Sequence, residues 1–164
     1  MSKETVINWL LRLAWPICAL ALVVGLSWQG KGWLDGREKI SQREQAVETA
    51  SSQVIDLTTM DSATVQDKLE SLAGRTVGDF KDQFNDITKS FQDVVEKNQI
   101  TATGVIDGAA IESISDTQAS VIVASSATIT EKAKQEPVVR TYRLRIKLER
   151  SDDTWLVAGM EFVQ

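Results

Sequence analysis

Histidine is missing from this 164-residue chain, and with it imidazole general bases, histidine-containing triads and histidine-ligated metal sites. Cysteine occurs once, as Cys18, inside an apolar run. No disulfide can close within the chain, no thiolate is offered to water, and nothing is said about redox compartment. Basic charge is also short. Beyond the first thirty residues, which hold Lys3, Glu4 and Arg12, 22 acidic side chains face 16 basic ones. A net charge of −6 over that stretch excludes a basic footprint for phosphate backbones, so nucleic acid is not an expected partner. There is no internal repeat, no low-complexity segment and no metal or cofactor motif.

What is present begins with the apolar run at 13–28, which contains no charge. Extended back to Val6 it reaches the roughly 20 residues needed to cross a hydrocarbon core, interrupted only by Asn8 and Arg12. The expected layout is a short cytoplasmic segment at 1–8, a transmembrane helix at 9–29, a juxtamembrane hinge with a long helix at 30–60, and the rest of an extracytoplasmic domain at 61–164. Trp9, Leu13, Trp15, Leu20, Val24 and Trp28 are the anchor residues, with Trp9, Trp28 and Trp33 placed as interfacial aromatics. A cleaved signal peptide is the alternative. The run is longer than such a core, and Ser27-Trp28-Gln29 offers no small-x-small site. Pro16 is tolerated in a spanning helix when neighbouring groups satisfy the freed carbonyl. Lys3 and Arg12 on one side and Lys31, Arg37, Lys39 and Arg43 on the other leave orientation undecided by charge.

After the hinge glycines 30, 32 and 36, Ile40, Val47, Ala50, Val54 and Leu57 recur at spacings of seven, three, four and three. They form one helical stripe, and 37–60 contains neither glycine nor proline. Asp61 is placed to cap a short helix carrying Val65, Leu69 and Leu72. Gly74 and Gly78 bracket a loop. A third helix follows with Val77, Phe80, Phe84, Ile87, Phe91 and Val94, its aromatics on the buried stripe. Past Asn98 the period becomes two. Strands are expected at 100–106, with Gly104 at a bend or bulge, more weakly at 110–114, then at 118–130, 138–150 and 155–163. In the fourth, Tyr142, Leu144, Ile146 and Leu148 alternate with Arg143, Arg145, Lys147 and Glu149. The fold class is therefore α+β: about three helices packed on a curved antiparallel sheet of four to five strands.

That order matches the cone-shaped nuclear transport factor 2-like (SnoaL-like) superfamily. Four stretches resemble the Mce-associated membrane proteins of actinobacteria more closely. They are 46–61 with its ending Asp56-Leu57-Thr58-Thr59-Met60-Asp61; Gly78-Asp79-Phe80-Lys81-Asp82-Gln83-Phe84; the Asn98-Gln99 step; and Asp153-Thr154-Trp155-Leu156-Val157 followed by Glu161. Many members of that family carry a longer charged tail before the anchor than the few residues found here. The resemblance implies a plasma-membrane protein with its N-terminus cytoplasmic and its domain outside. It implies an accessory or scaffold role in Mce-type lipid import, without catalysis or cofactor, with transporter subunits and the bilayer as partners. Two other readings stay open: a carrier module that binds lipid in the cone, and a bitopic cone-fold subunit of a type IV secretion machine.

Three sets of side chains are candidates for function. Ile40, near the start of the long helix, and the basic face of Arg143, Arg145 and Lys147, with Arg140 and Arg150 nearby, form the candidate partner face; the bland alternative is a solvated sheet face paired across strands. Phe80, Phe84, Phe91, Tyr142 and Trp155 are the candidate lining of a lipid cavity, against the default of plain core. An isomerase-like site would set Tyr142 beside a carboxylate base drawn from Asp56, Asp61, Asp79, Asp82 or Glu161, whereas most acidic residues are simply exposed.

Overall fold

The computed structural model describes residues 39–134 and 136–163. The expected span at 9–29, with its anchor residues, and the glycine hinge lie outside them. Among the described residues no helix is long and apolar enough to cross a membrane. The chain divides into two units, Met1–Gln42 and Arg43–Gln164, and the second holds the α+β architecture.

Helix α1 is described over 39–58. It is followed by β1 (Met60–Asp61), α2 (Val65–Gly74), α3 (Gly78–Asn98), β2 (Ile100–Ile114), β3 (Gln118–Glu131), β4 (Val138–Ser151) and β5 (Thr154–Phe162). The five strands pair antiparallel in chain order; β2 to β5 form a meander of adjacent hairpins, while β1 joins the β2 edge across the excursion through α2 and α3. Small residues let α1 lie close to the sheet. Ala46, Ala50 and Val54, each four apart, are fully buried against Val121, Val123, Leu144, Ile146, Leu148, Trp155 and Val157. A second core gathers Met60, Val65, Leu69, Leu72, Phe84 and Val95, and Phe80 packs against both.

Four local expectations need correction. The separate strands at 100–106 and 110–114 are one strand, β2, whose register slips between Ile106 and Gly108 and between Ile111 and Ser113. Asp107 and Glu112 are the inserted residues, and such bulges bend a strand and increase its twist. Gly104 sits at neither bulge. It is glycine because a Cβ there would overlap the Oγ1 and Cβ of Thr58, at the end of α1. Asp61 is not a helix cap but half of β1, opposite Thr101; its carboxylate accepts from the Ala63 amide (2.8 Å) and the Thr101 hydroxyl (3.2 Å). In α3 the buried residues are Phe84 and Val95, while Ile87, Phe91 and Val94 are exposed.

Candidate functional site

Strand alternation turns Leu144, Ile146 and Leu148 into the core and Arg143, Arg145 and Lys147 to the opposite face of the sheet. Register places Arg145 between Ile122 on β3 and Glu161 on β5, and Lys147 between Ser120 and Gly159. The bulge in β2 brings Glu112 onto the same face. Both of its oxygens accept from Arg145, Oε2 from Nε and Oε1 from Nη2, each at 2.7 Å; Oε2 also accepts from Ser120 Oγ at 2.7 Å. Arg145 Nη1 donates to Glu161 Oε1 at 3.3 Å, and Lys147 Nζ lies 3.2 Å from the same oxygen.

The result is a four-member ion-pair chain that joins three strands. Hydrogen bonds from Arg145, and then from Ser120, hold the Glu112 carboxyl below its ordinary value of 4.5. Lys147, and then Arg145, do the same for Glu161. The Arg145 guanidinium is raised in turn, chiefly by Glu112 and next by Glu161. The chain lines an open cleft of about 640 Å³ with Ser113 and Ser120. A second cleft of about 340 Å³ lies between Val77–Phe80 at the start of α3 and Gly159–Glu161 on β5.

Chemically, both carboxylates are held in their charged form by cations, and the cations are matched by carboxylates. This arrangement clamps strands; it offers no free base. Arg143, opposite Ala124, forms none of the ion pairs found among the described residues, so it is the basic group of this face left to solvent.

The end of α1 is a second polar cluster. The Asp56 carboxylate accepts from Arg75 Nη2 at 2.5 Å and lies 3.8 Å from Lys68 Nζ. Arg75 Nη1 also donates to Ser52 Oγ at 3.0 Å. Thr58 Oγ1 donates back to the Val54 carbonyl at 2.7 Å. The Thr59 hydroxyl accepts from the Gly104 amide, and its carbonyl accepts from Lys68 Nζ. The stretch Asp56–Asp61 is thus a joint that locks α1 to α2 and to β2.

The candidate cavity residues are dispersed. Phe84 and Trp155 are buried in different cores, Phe80 bridges them, and Phe91 is exposed. Tyr142 is half-buried with its ring 6.4 Å from that of Phe162. Neither cleft is lined by Phe84, Phe91, Tyr142 or Trp155. Glu161 faces the opposite side of the sheet from Tyr142, and Asp56 and Asp61 serve the α1 joint. Ile40 is exposed. Among the described residues no cluster of three or more acidic or cysteine side chains is placed to hold a metal.

Three buried polar groups had no signal in the sequence: the Gln53 side-chain amide, the Ser125 hydroxyl and the Trp155 indole nitrogen. All are closed off from solvent and have no hydrogen-bond partner among the described residues. Glu112 was equally hidden, because nothing local marks it as the partner of an arginine 33 residues away.

A family model described as "Uncharacterized protein Rv1363c/MT1408-like" matches residues 15–164. Among curated relatives, "Uncharacterized protein Rv1363c" of Mycobacterium tuberculosis is 26% identical over 123 residues, 74% of this chain and 47% of that protein. The chain therefore spans about half the length of the curated relative it matches. Among solved structures, an IcmL-like type IV secretion system protein of Legionella pneumophila superposes with a TM-score of 0.61 at 16% identity, over 74% of this chain and 91% of that one. The VirB8 protein of Agrobacterium tumefaciens gives 0.61 at 10% identity, over 75% and 92%. A periplasmic fragment of TraM gives 0.60 at 11% identity, over 73% and 95%. At these identities the likeness establishes the shared cone-like α+β fold.

Proposed function

The chain belongs to the Rv1363c/MT1408-like family, and on that footing we propose that it is a non-enzymatic, single-pass subunit of the plasma membrane. Its α+β domain stands outside the membrane and scaffolds an Mce-type lipid import complex. The observation that carries this reading is where the polar chemistry goes. The joint at Asp56–Asp61 fixes helix to sheet, and the chain Glu112–Arg145–Glu161–Lys147 fixes strand to strand. Among the side chains left at the surface are the apolar Ile87, Phe91 and Val94 of α3, Val105, Val138, Val139 and Phe162 of the sheet, and the guanidinium of Arg143, the equipment of a binding surface. The uncharged run at 13–28 supports attachment to a bilayer. The motif stretches that resemble Mce-associated proteins support lipid import as the process.

A second reading has its own support. Solved domains of this fold are described as a type IV secretion system protein and a periplasmic fragment, so a bitopic subunit of a secretion-type machine is the alternative. Affinity purification of the full-length chain from its native membrane in mild detergent, read by mass spectrometry, separates the two. Mce-type transporter subunits, lost on deletion of 61–164, are the expected finding. Recovery of secretion ATPases instead favours the second reading. Copurified fatty acid or sterol with no protein partner favours a lipid carrier and removes the scaffold.

A further inference from the structure

Helix α3 carries two apolar stripes, and among the described residues only one of them is covered. Phe84 and Val95 are buried in the core shared with α2. Ile87, Phe91 and Val94, spaced four and three apart, are 61%, 41% and 52% exposed. At 100° per residue this second stripe lies on the flank of the first and runs along two turns without a break. A continuous apolar strip on an otherwise charged helix marks a contact surface.

The pattern around the strip selects its occupant, because the strip is complementary to itself. Laid antiparallel against a second α3 with the two-fold axis at Phe91, Phe91 meets Phe91 and Ile87 meets Val94 of the second copy. The same placement sets Asp86 opposite Lys97 of the second copy, twice by symmetry. The midpoints of all three pairings fall within one residue of Phe91. Asp86 and Lys97 flank the strip on its solvent side, both are exposed, and neither forms any of the ion pairs found among the described residues. Ser90, beside Phe91, is small and donates its hydroxyl back to the Ile87 carbonyl at 2.9 Å, so nothing bulky holds two helices apart. A membrane surface is a poorer occupant. Asp79, Asp82, Asp86, Asp93 and Glu96 outnumber Lys81, Lys89 and Lys97 along α3, and anionic headgroups would be repelled.

We propose that α3 is the element through which two copies of this chain pair, antiparallel and two-fold about Phe91. This isologous contact is the commonest form of closed association. Three apolar side chains cover less than the roughly 800 Å² per partner of a standard interface, so the pair depends on concentration.

The test is sedimentation of the full-length protein in detergent over a concentration series, with helix content followed by circular dichroism. The wild-type chain should move from monomer to dimer. Asp86→Lys, which sets lysine against Lys97, should raise the dissociation constant about tenfold. The swap Asp86→Lys/Lys97→Asp should restore it to within about twofold. In a Cys18→Ala background, Ser90→Cys should form an intermolecular disulfide under oxidant, and Lys89→Cys, on the opposite side of the helix, should not. A chain that stays monomeric at every concentration overturns the proposal. So does association indifferent to Asp86→Lys, a swap that restores nothing, or equal cross-linking at 89 and 90. If Ile87→Glu releases a different protein from a chain that is itself monomeric, the strip belongs to that partner and the self-pairing is wrong.

Discussion

Thr58 fills the space that any side chain at residue 104 would need. A Cβ on Gly104 would come within 2.8 Å of the Thr58 Cβ, whereas one on Gly108 would meet nothing within 4 Å. The two glycines of β2 therefore make a matched pair of substitutions. Gly104→Ala should lower stability by about 2 kcal/mol or more, because helix and strand must move apart. Gly108→Ala should be neutral or stabilising by up to about 1 kcal/mol, since alanine restricts the unfolded chain. Urea midpoints of the two variants check this, and equal losses would show that the contact with Thr58 is not the constraint. At the same scale, Glu112 and Glu161 both have carboxyl pKa values depressed by their cations. A depressed folded pKa gives stability that is present above the ordinary 4.5 and is lost as pH falls through the lower folded value. Thermal melts should thus lose stability progressively below pH 4.5, and Glu112→Gln should blunt that loss while leaving the acid dependence due to Glu161. An unchanged acid limb in Glu112→Gln would remove the ion-pair chain as its cause.

At the level of elements, the close approach of α1 rests on its small residues. Ala50 is fully buried between the helix backbone and the sheet. Ala50→Leu should cost about 1–3 kcal/mol through overpacking, as read by chemical denaturation, while Glu48→Leu on the exposed side should cost little. A tolerant Ala50 would mean that α1 floats on the sheet. These elements also show what a sequence reveals. Ala50 and Val54 of the α1 stripe and the alternation of Leu144, Ile146 and Leu148 were legible because one buried face repeats with a regular period, whereas the fully buried Ala46 lies outside the expected stripe and Ile40 at its start is exposed. The unity of β2 was not, because the extra residues at 107 and 112 each break the period of two and make one strand look like two. Two paired residues at Met60–Asp61 are too short to carry any period, so Asp61 resembled a helix cap. In α3, spacings of three and four fit two neighbouring stripes equally well. Only the packing of α2 decides that Val95 is covered and Val94 is not. The candidate site was half legible for the same reason: outward-facing Arg145 and Lys147 follow from local alternation, but their carboxylates come from strands distant in sequence.

For the whole molecule, the basic face separates into two parts that a single experiment can tell apart. Arg145 is held by Glu112 and Glu161, so reversing its charge would leave two carboxylates facing a third and loosen β2, β4 and β5 together. Lost binding after Arg145→Glu would therefore say nothing about a partner. Arg143 has the same outward direction on β4 without forming any of the described ion pairs, so Arg143→Glu changes the surface potential and leaves the strand clamp intact. If this face meets an acidic surface of a transport complex, Arg143→Glu should reduce recovery of partner subunits from the membrane by roughly five- to tenfold at unchanged melting temperature. The loss should shrink as salt is raised, since exposed charges are screened within about 10 Å at 0.1 M. Arg145→Glu should lower recovery and melting temperature together. Full recovery with Arg143→Glu at low salt would exclude the sheet face as the binding surface. Contact with other subunits would then fall to exposed apolar residues outside α3, with Phe162 of β5 the foremost, where the effect of salt would run the other way.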